Sequence, residues 1–134
     1  MKKIICYTDG GSRGNPGSAG SGAVCFLNSE KLFEIKKPLG IQTNNFAEYE
    51  AVILTLQKLL KENLHNEIVE IKADSKLVVE QLSGNWKVKN ENIKPQFCKA
   101  NELLNKFLNV SFIHIPREEN KLADALANKA MDEG

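Results

Sequence analysis

The sequence predicts an α/β fold: a mixed five-stranded sheet flanked by helices, in the order βββαβααβα. Three short apolar runs follow one another closely before residue 38, which favours an antiparallel meander. Two later strand-like runs are each reached through a long helical connection, which lets them run parallel to the first strand. The 134 residues, 42% hydrophobic and 26% charged, fit one folded domain spanning 1–134 with no disulfide or zinc staple.

The first strand is KIICYT, residues 3–8, and its apolar centre suits a strand covered on both faces. Residues 10–22, GGSRGNPGSAGSG, are dense in glycine and serine and read as a loop or turn. Residues 22–28 and 32–37 read as strands two and three, joined by a tight turn at Asn28-Ser29-Glu30-Lys31. Thr43, Asn44 and Asn45 offer a helix cap. Behind them Tyr49, Val52, Ile53, Leu56, Leu59 and Leu60 recur at three- and four-residue intervals, which predicts a helix over 45–62 with Glu50 on its solvent face. Residues 67–73 alternate as a strand. Ser75 to Leu82 reads as a short helix stopped by Gly84. Residues 94–108, with Pro95 in the first turn, form a further amphipathic helix. Residues 110–115, VSFIHI, are the fifth strand, ended by Pro116, and 120–131 is a last, alanine-rich helix with Leu122 and Leu126 in its apolar pattern.

Composition narrows the function classes. Eighteen basic and 17 acidic residues leave a formal charge of +1, so charge alone indicates neither a nucleic acid nor a membrane surface as partner. No apolar run approaches the length of a membrane helix, roughly 20 residues. Asp9 ends the first apolar run too early for a signal peptide, so the expected location is cytoplasmic. Cys6, Cys25 and Cys98 are far apart, without a CxxC pair, and are expected as buried free thiols. His65, Glu118, Glu119, Asp132 and Glu133 are expected to be solvated, and Phe26, Phe33, Phe97, Phe107 and Phe112 to lie in the core.

The chemistry lies in the acids. Asp9 directly follows the first strand and Asp74 the fourth. If those strands are parallel neighbours, both carboxylates sit at one carboxyl edge of the sheet, where open α/β sheets bind ligands. Glu48 opens the first long helix, and Asp124 lies among alanines in the last. Each alone reads as a cap or a surface charge. Clustered, they raise one another's pKa, and divalent cations relieve that repulsion. An all-oxygen donor set suits Mg²⁺ or Mn²⁺ better than Zn²⁺. Two such ions about 3.5–4 Å apart can activate a water and stabilise a leaving phosphodiester oxygen.

Four segments, YTDGGSRGNPGSAGSG, TNNFAEYEAV, IKADSKLVVEQL and HIPREENKLADALAN, resemble ribonuclease H of type 1, and the resemblance runs from Lys3 to about Lys129. It implies a sheet order of 3-2-1-4-5. It implies a metal-dependent endoribonuclease that cuts the RNA strand of RNA–DNA hybrids to 5′-phosphate and 3′-hydroxyl ends. Asp9, Glu48 and Asp74 would hold the metal beside the leaving group, and Asp9 with Asp124 the one that activates water. Mg²⁺ is the expected ion and Mn²⁺ a substitute. Gly10, Gly11, Ser12, Asn15, Asn44 and Asn45 would cradle the RNA strand. Glycine lets backbone N–H groups approach sugar and phosphate, and Asn amides suit base edges and 2′-hydroxyls. No Gly-Lys-Ser/Thr follows, so a Walker loop is out.

Two departures qualify the resemblance. Many members carry a basic, Trp-containing handle. Here residues 83–95 are a short version in which Trp86, Lys87 and Lys89 would meet the DNA strand, unless Trp86 is a core residue joining helices. Members often use a mobile His before the last helix. His114 has a suitable spacing but falls in the strand alternation, so Arg117 is the favoured auxiliary residue and His114 the alternative. The chain is thus expected as a short, monomeric form without a separate hybrid-binding domain. Its rivals are relaxed cleavage that includes double-stranded RNA, a non-catalytic hybrid-binding module, and a polymerase-associated nuclease domain detached from its parent, with the same chemistry and weak intrinsic affinity.

Overall fold

The computed structural model describes residues 2–134. Its elements are β1 (Lys3–Gly14), β2 (Gly17–Leu27), β3 (Glu30–Gln42), α1 (Asn44–Lys61), β4 (Ile68–Ala73), α2 (Lys76–Leu82), α3 (Lys94–Leu104), β5 (Asn109–His114), a 3₁₀ turn at Arg117–Glu119 and α4 (Lys121–Glu133). The sheet order is β3-β2-β1-β4-β5, with β1 central. β1, β2 and β3 pair antiparallel, while β1/β4 and β4/β5 pair parallel, as the connection lengths allow.

One prediction fails instructively. Residues 10–22 are not a loop: β1 runs on to Gly14 and β2 begins at Gly17, leaving only Asn15 and Pro16 as the connection. The glycines are there because α4 lies directly on β2. A Cβ on Gly20 would sit 2.6 Å from the Ala130 Cβ, and one on Gly22 2.5 Å from the Ala127 nitrogen. The helix answers with Ala123, Ala127 and Ala130 on its buried face, so two backbones approach without large side chains between them. Leu122, by contrast, is 59% exposed and lies off that face.

Other boundaries move less. β3 extends to 30–42, because the β2–β3 hairpin turns on Asn28 and Ser29 alone. Both have positive φ, 52° and 68°. That geometry matches the right-handed twist of the strands it joins. α3 ends at Leu104 and β5 spans 109–114. α1 begins at Asn44, capped by the Thr43 hydroxyl, which accepts from the Phe46 N–H at 3.2 Å.

The core lies between the sheet and α1. Ile4, Cys6, Val69 and Ile71 meet Tyr49, Val52, Ile53, Leu56 and Leu59, all fully buried. Residues of α3 close the far side, with Ala100 buried and Phe97 packed against the core. Several expectations need correction. Glu50 is buried, not solvated: its carboxylate accepts from Gln96 Nε2 at 3.1 Å and lies 4.0 Å from Lys37. His65 is half-buried, edge-on to Phe107, and its Nδ1 has no partner. Cys6 and Cys25 are buried cross-strand neighbours, but Cys98 is exposed on α3. Of the named phenylalanines, Phe33, Phe97, Phe107 and Phe112 are half-buried and pack against the core, while Phe26 is half-buried edge-on to Tyr7. Among the described residues, no helix is long and apolar enough to cross a membrane.

Candidate active site

β1 and β4 run parallel in register, Thr8 opposite Ala73, so the residues that follow them emerge together at one edge. Those residues are Asp9 and Asp74. Glu48 joins them from the first turns of α1. Carboxylate oxygens of Asp9, Glu48 and Asp74 all lie within 4.8 Å of one another. The Gly10 N–H sits between two of them, donating to Glu48 Oε1 at 2.7 Å and to Asp9 Oδ1 at 2.9 Å.

Such crowding raises pKa values. Asp9 is pushed up to about 7, first by burial, then by the charge of Asp74, with Asp124 adding to it. Glu48 is raised well above the usual carboxylate range, again by burial first and then by the charges of Asp9 and Asp74. Three oxygen donors at this separation, with Asp9 and Glu48 pushed up by burial and by their neighbours' charge, match a hard divalent cation.

Asp124 approaches from the other side, in the first turn of α4. Its half-buried carboxylate lies 3.7 Å from the guanidinium of Arg117 in the 3₁₀ turn. It lines the same groove, about 480 Å³, as the other three acids. The start of α4 is tied to β1 by Asn120, a fully buried side chain whose Nδ2 donates to the Thr8 carbonyl at 2.8 Å, one residue before Asp9. Asn120 Oδ1 has no partner, so this amide serves through its donor.

Along one side the rim of the groove carries neutral, polar residues. Gly10, Gly11, Ser12, Asn44 and Asn45 line it. Asn44 Oδ1 accepts from the Ser12 N–H at 2.7 Å, and the Asn44 N–H donates to Asn15 Oδ1 at 3.1 Å, so the hairpin tip is braced to α1. His114 ends β5, exposed, and is not among the groove's lining residues, whereas Arg117 is. Trp86, Lys87 and Lys89 also lie outside it, between α2 and α3. Trp86 is 44% exposed with Lys76 Nζ 5.9 Å over its ring, so it is not a core residue.

Sequence reasoning missed four groove residues or supports: Arg13, Asn128, Met131 and Asn120. Reading 9–13 as strand would have found the first, since Asp9, Gly11 and Arg13 then share a face. Asn128 and Asn120 lie four residues either side of Asp124, on one face of its helix. A larger cavity of about 620 Å³ lies on the open sheet face by Ile5, Tyr7, Phe26 and Leu122, but no acid cluster converges on it among the described residues.

Comparison with known proteins agrees with this geometry. A family profile described as reverse transcriptase-like matches residues 7–130. Ribonuclease H of Clostridium botulinum is 37% identical, the match covering 99% of this chain and 98% of that protein. Ribonuclease HI of Halobacterium salinarum is 38% identical over 98% of this chain and 65% of its own length. A bifunctional protein of Mycobacterium tuberculosis is 44% identical over 97% of this chain, which spans only 36% of that relative. The solved structure of LC11-RNase H1 in complex with an RNA/DNA hybrid superposes with a TM-score of 0.92 at 43% identity, covering 97% of each chain. Matched along nearly the full length of the clostridial enzyme, with the acid cluster at the carboxyl edge of its sheet, the chain belongs to the ribonuclease H family.

Proposed function

We propose that residues 1–134 act as one monomeric, cytoplasmic nuclease domain that cuts the RNA strand of RNA–DNA hybrids internally. The products are 5′-phosphate and 3′-hydroxyl ends. The observation that carries the reading is the acid cluster: Asp9, Glu48 and Asp74 within 4.8 Å of one another, beside a rim of backbone amides and asparagines.

Asp9, Glu48 and Asp74 would hold one divalent ion, and Asp9 with Asp124 a second, with Mg²⁺ the expected species and Mn²⁺ able to replace it. When bound, such ions supply Lewis acidity, lowering the pKa of water and offsetting charge on the departing oxygen. The chain's own residues do the rest. Asp9 is buried while Glu48 and Asp74 are half-buried, so the cluster faces the groove with its carboxylates held in place from below. The Gly10 N–H fixes the Glu48 and Asp9 carboxylates relative to each other. Arg117 orients Asp124 and screens its charge from the incoming phosphates. Gly11, Ser12, Asn15, Asn44 and Asn45 seat the RNA strand, where amide groups that both donate and accept can read 2′-hydroxyls. Trp86, Lys87 and Lys89 present an exposed ring and two cations for the DNA strand.

The test is cleavage of a duplex carrying end-labelled RNA, with Mg²⁺, Mn²⁺ or EDTA, beside double-stranded RNA and double-stranded DNA. Metal-dependent internal cuts confined to the RNA of the hybrid are expected. Cuts in double-stranded RNA as well would replace hybrid selectivity with relaxed choice. No cleavage under any metal would remove the nuclease reading.

A further inference from the structure

Among the described residues, the cations lining the acidic groove are Arg13 and Arg117. Arg117 is turned toward Asp124. Arg13 stands at the tip of the β1–β2 hairpin, on the same face of β1 as Asp9 and Gly11. Four strand residues place its Cα roughly 13 Å from that of Asp9. Its guanidinium reaches across to α4, 2.8 Å from Asp132 Oδ1 and 3.3 Å from Asn128 Oδ1.

This tether is weak by construction. Both side chains of the Arg13–Asp132 pair are at least half exposed, and ion pairs in such settings contribute little to stability. The arrangement nevertheless holds a rigid fork of N–H donors beside the groove, and that fork matches a phosphate as well as a carboxylate. A polyanion entering a groove with four carboxylates needs positive charge on its flanks.

We infer that Arg13 binds a backbone phosphate of the RNA strand away from the scissile bond, exchanging Asp132 for that phosphate when the hybrid docks. The RNA strand is the partner because Arg13 lies between Ser12 and Asn15, on the rim assigned to that strand. Asp132 is then a placeholder: it aims the guanidinium in the free protein and competes with the phosphate for it. The inference rests on the hybrid-cleaving reading.

Binding of a labelled RNA–DNA hybrid, followed by fluorescence anisotropy in EDTA across a salt series, tests it without metal or turnover. Arg13→Ala is expected to weaken binding about tenfold. It should also reduce the slope of log affinity against log salt by about 0.7–0.9, the loss of one phosphate contact. Lys99→Ala, which removes one exposed charge from α3 outside the groove, should change both far less. Arg13→Lys should restore the slope and part of the affinity. With Mg²⁺ added, Arg13→Ala should raise KM and leave kcat unchanged.

The decisive comparison is Asp132→Asn. A phosphate ligand predicts opposite signs: Asp132→Asn tightens binding two- to threefold, and the tightening disappears in the Arg13→Ala background. A mere structural tie predicts that both single variants weaken binding alike, and that result overturns the inference. So does an Arg13→Ala protein indistinguishable from Lys99→Ala while the wild type binds and cleaves the hybrid. A wild type that neither binds nor cleaves the hybrid removes the parent reading, and this inference with it.

Discussion

The two faces of the central strand do opposite things. On one, Ile4, Cys6 and Thr8 are buried under α1, alongside Val69, Ile71 and Ala73 of β4. On the other, the alternating positions are Ile5, Tyr7, Asp9, Gly11 and Arg13, and α4 covers only the upper part of them. The first face is large, apolar and closed, so its burial stabilises the fold. The second ends in a cluster of carboxylates whose charged forms burial disfavours, so it opposes folding. One strand can do both because its side chains alternate, and each face can be broken without the other.

The largest expected effect is on the charged face. Asp9→Asn keeps the shape and the Gly10 contact but removes a carboxylate from the centre of the cluster. Hybrid cleavage in Mg²⁺ should fall by about 10³-fold or more, several kcal/mol of transition-state stabilisation, while the thermal midpoint in EDTA rises or holds. Parallel assays of rate and melting check both halves. A variant that retains activity would take Asp9 out of the chemistry.

Leu56→Ala is the mirror experiment. Leu56 is fully buried between α1 and the sheet. Truncation should cost about 2–5 kcal/mol in urea unfolding, with cleavage per folded molecule unchanged. Loss of kcat in fully folded protein would show that the two faces are not separable.

Gly22→Ala sits where they meet. The added methyl would press on the Ala127 nitrogen and the Ala123 carbonyl of α4. That helix must move outward, and Asp124 moves with it. A stability loss of about 1–3 kcal/mol is expected from overpacking, with a fall in kcat that Leu56→Ala does not show. Equal stability loss without a rate effect would mean that α4 adjusts without displacing Asp124.

The same division explains what could be read in advance. The α1 face announces itself by periodicity: Val52, Ile53, Leu56 and Leu59 have one reason to recur as they do, and strand and helix order follow from such runs. Asp9 and Asp74 were inferable at one edge because each ends an apolar run and parallel pairing aligns the ends. Residues 10–22 were not, because glycine ordinarily signals a turn, and the need for it here comes from α4, which lies far later in the chain. Glu50 failed for a related reason. Its burial depends on Gln96 and Lys37, which only the folded chain brings to it. Arg13 followed the glycine error, since a residue read as loop has no face.

The smallest effect tests whether the charged face opposes folding at all. Burial, and then the charge of Asp74, pushes the Asp9 carboxyl up to about 7 in the folded protein, against near 4 when unfolded. Between those values the folded state holds the extra proton, so stability contributed by protonated Asp9 is complete below about pH 4 and is lost as pH rises through about 7. In EDTA the melting temperature should therefore fall by a few degrees from pH 5 to pH 8, beyond the change seen in Asp9→Asn. Glu48 is raised as well and interacts with Asp9, so the pH dependence belongs to the pair and not to one acid. A divalent ion would reverse the sign of the argument. Held by the deprotonated acids, Mg²⁺ would raise the melting temperature more at pH 8 than at pH 5, with protons released on binding. Equal stabilisation at both pH values would mean that the acids are already ionised in the free protein, and that this face of β1 costs the fold no more than the other.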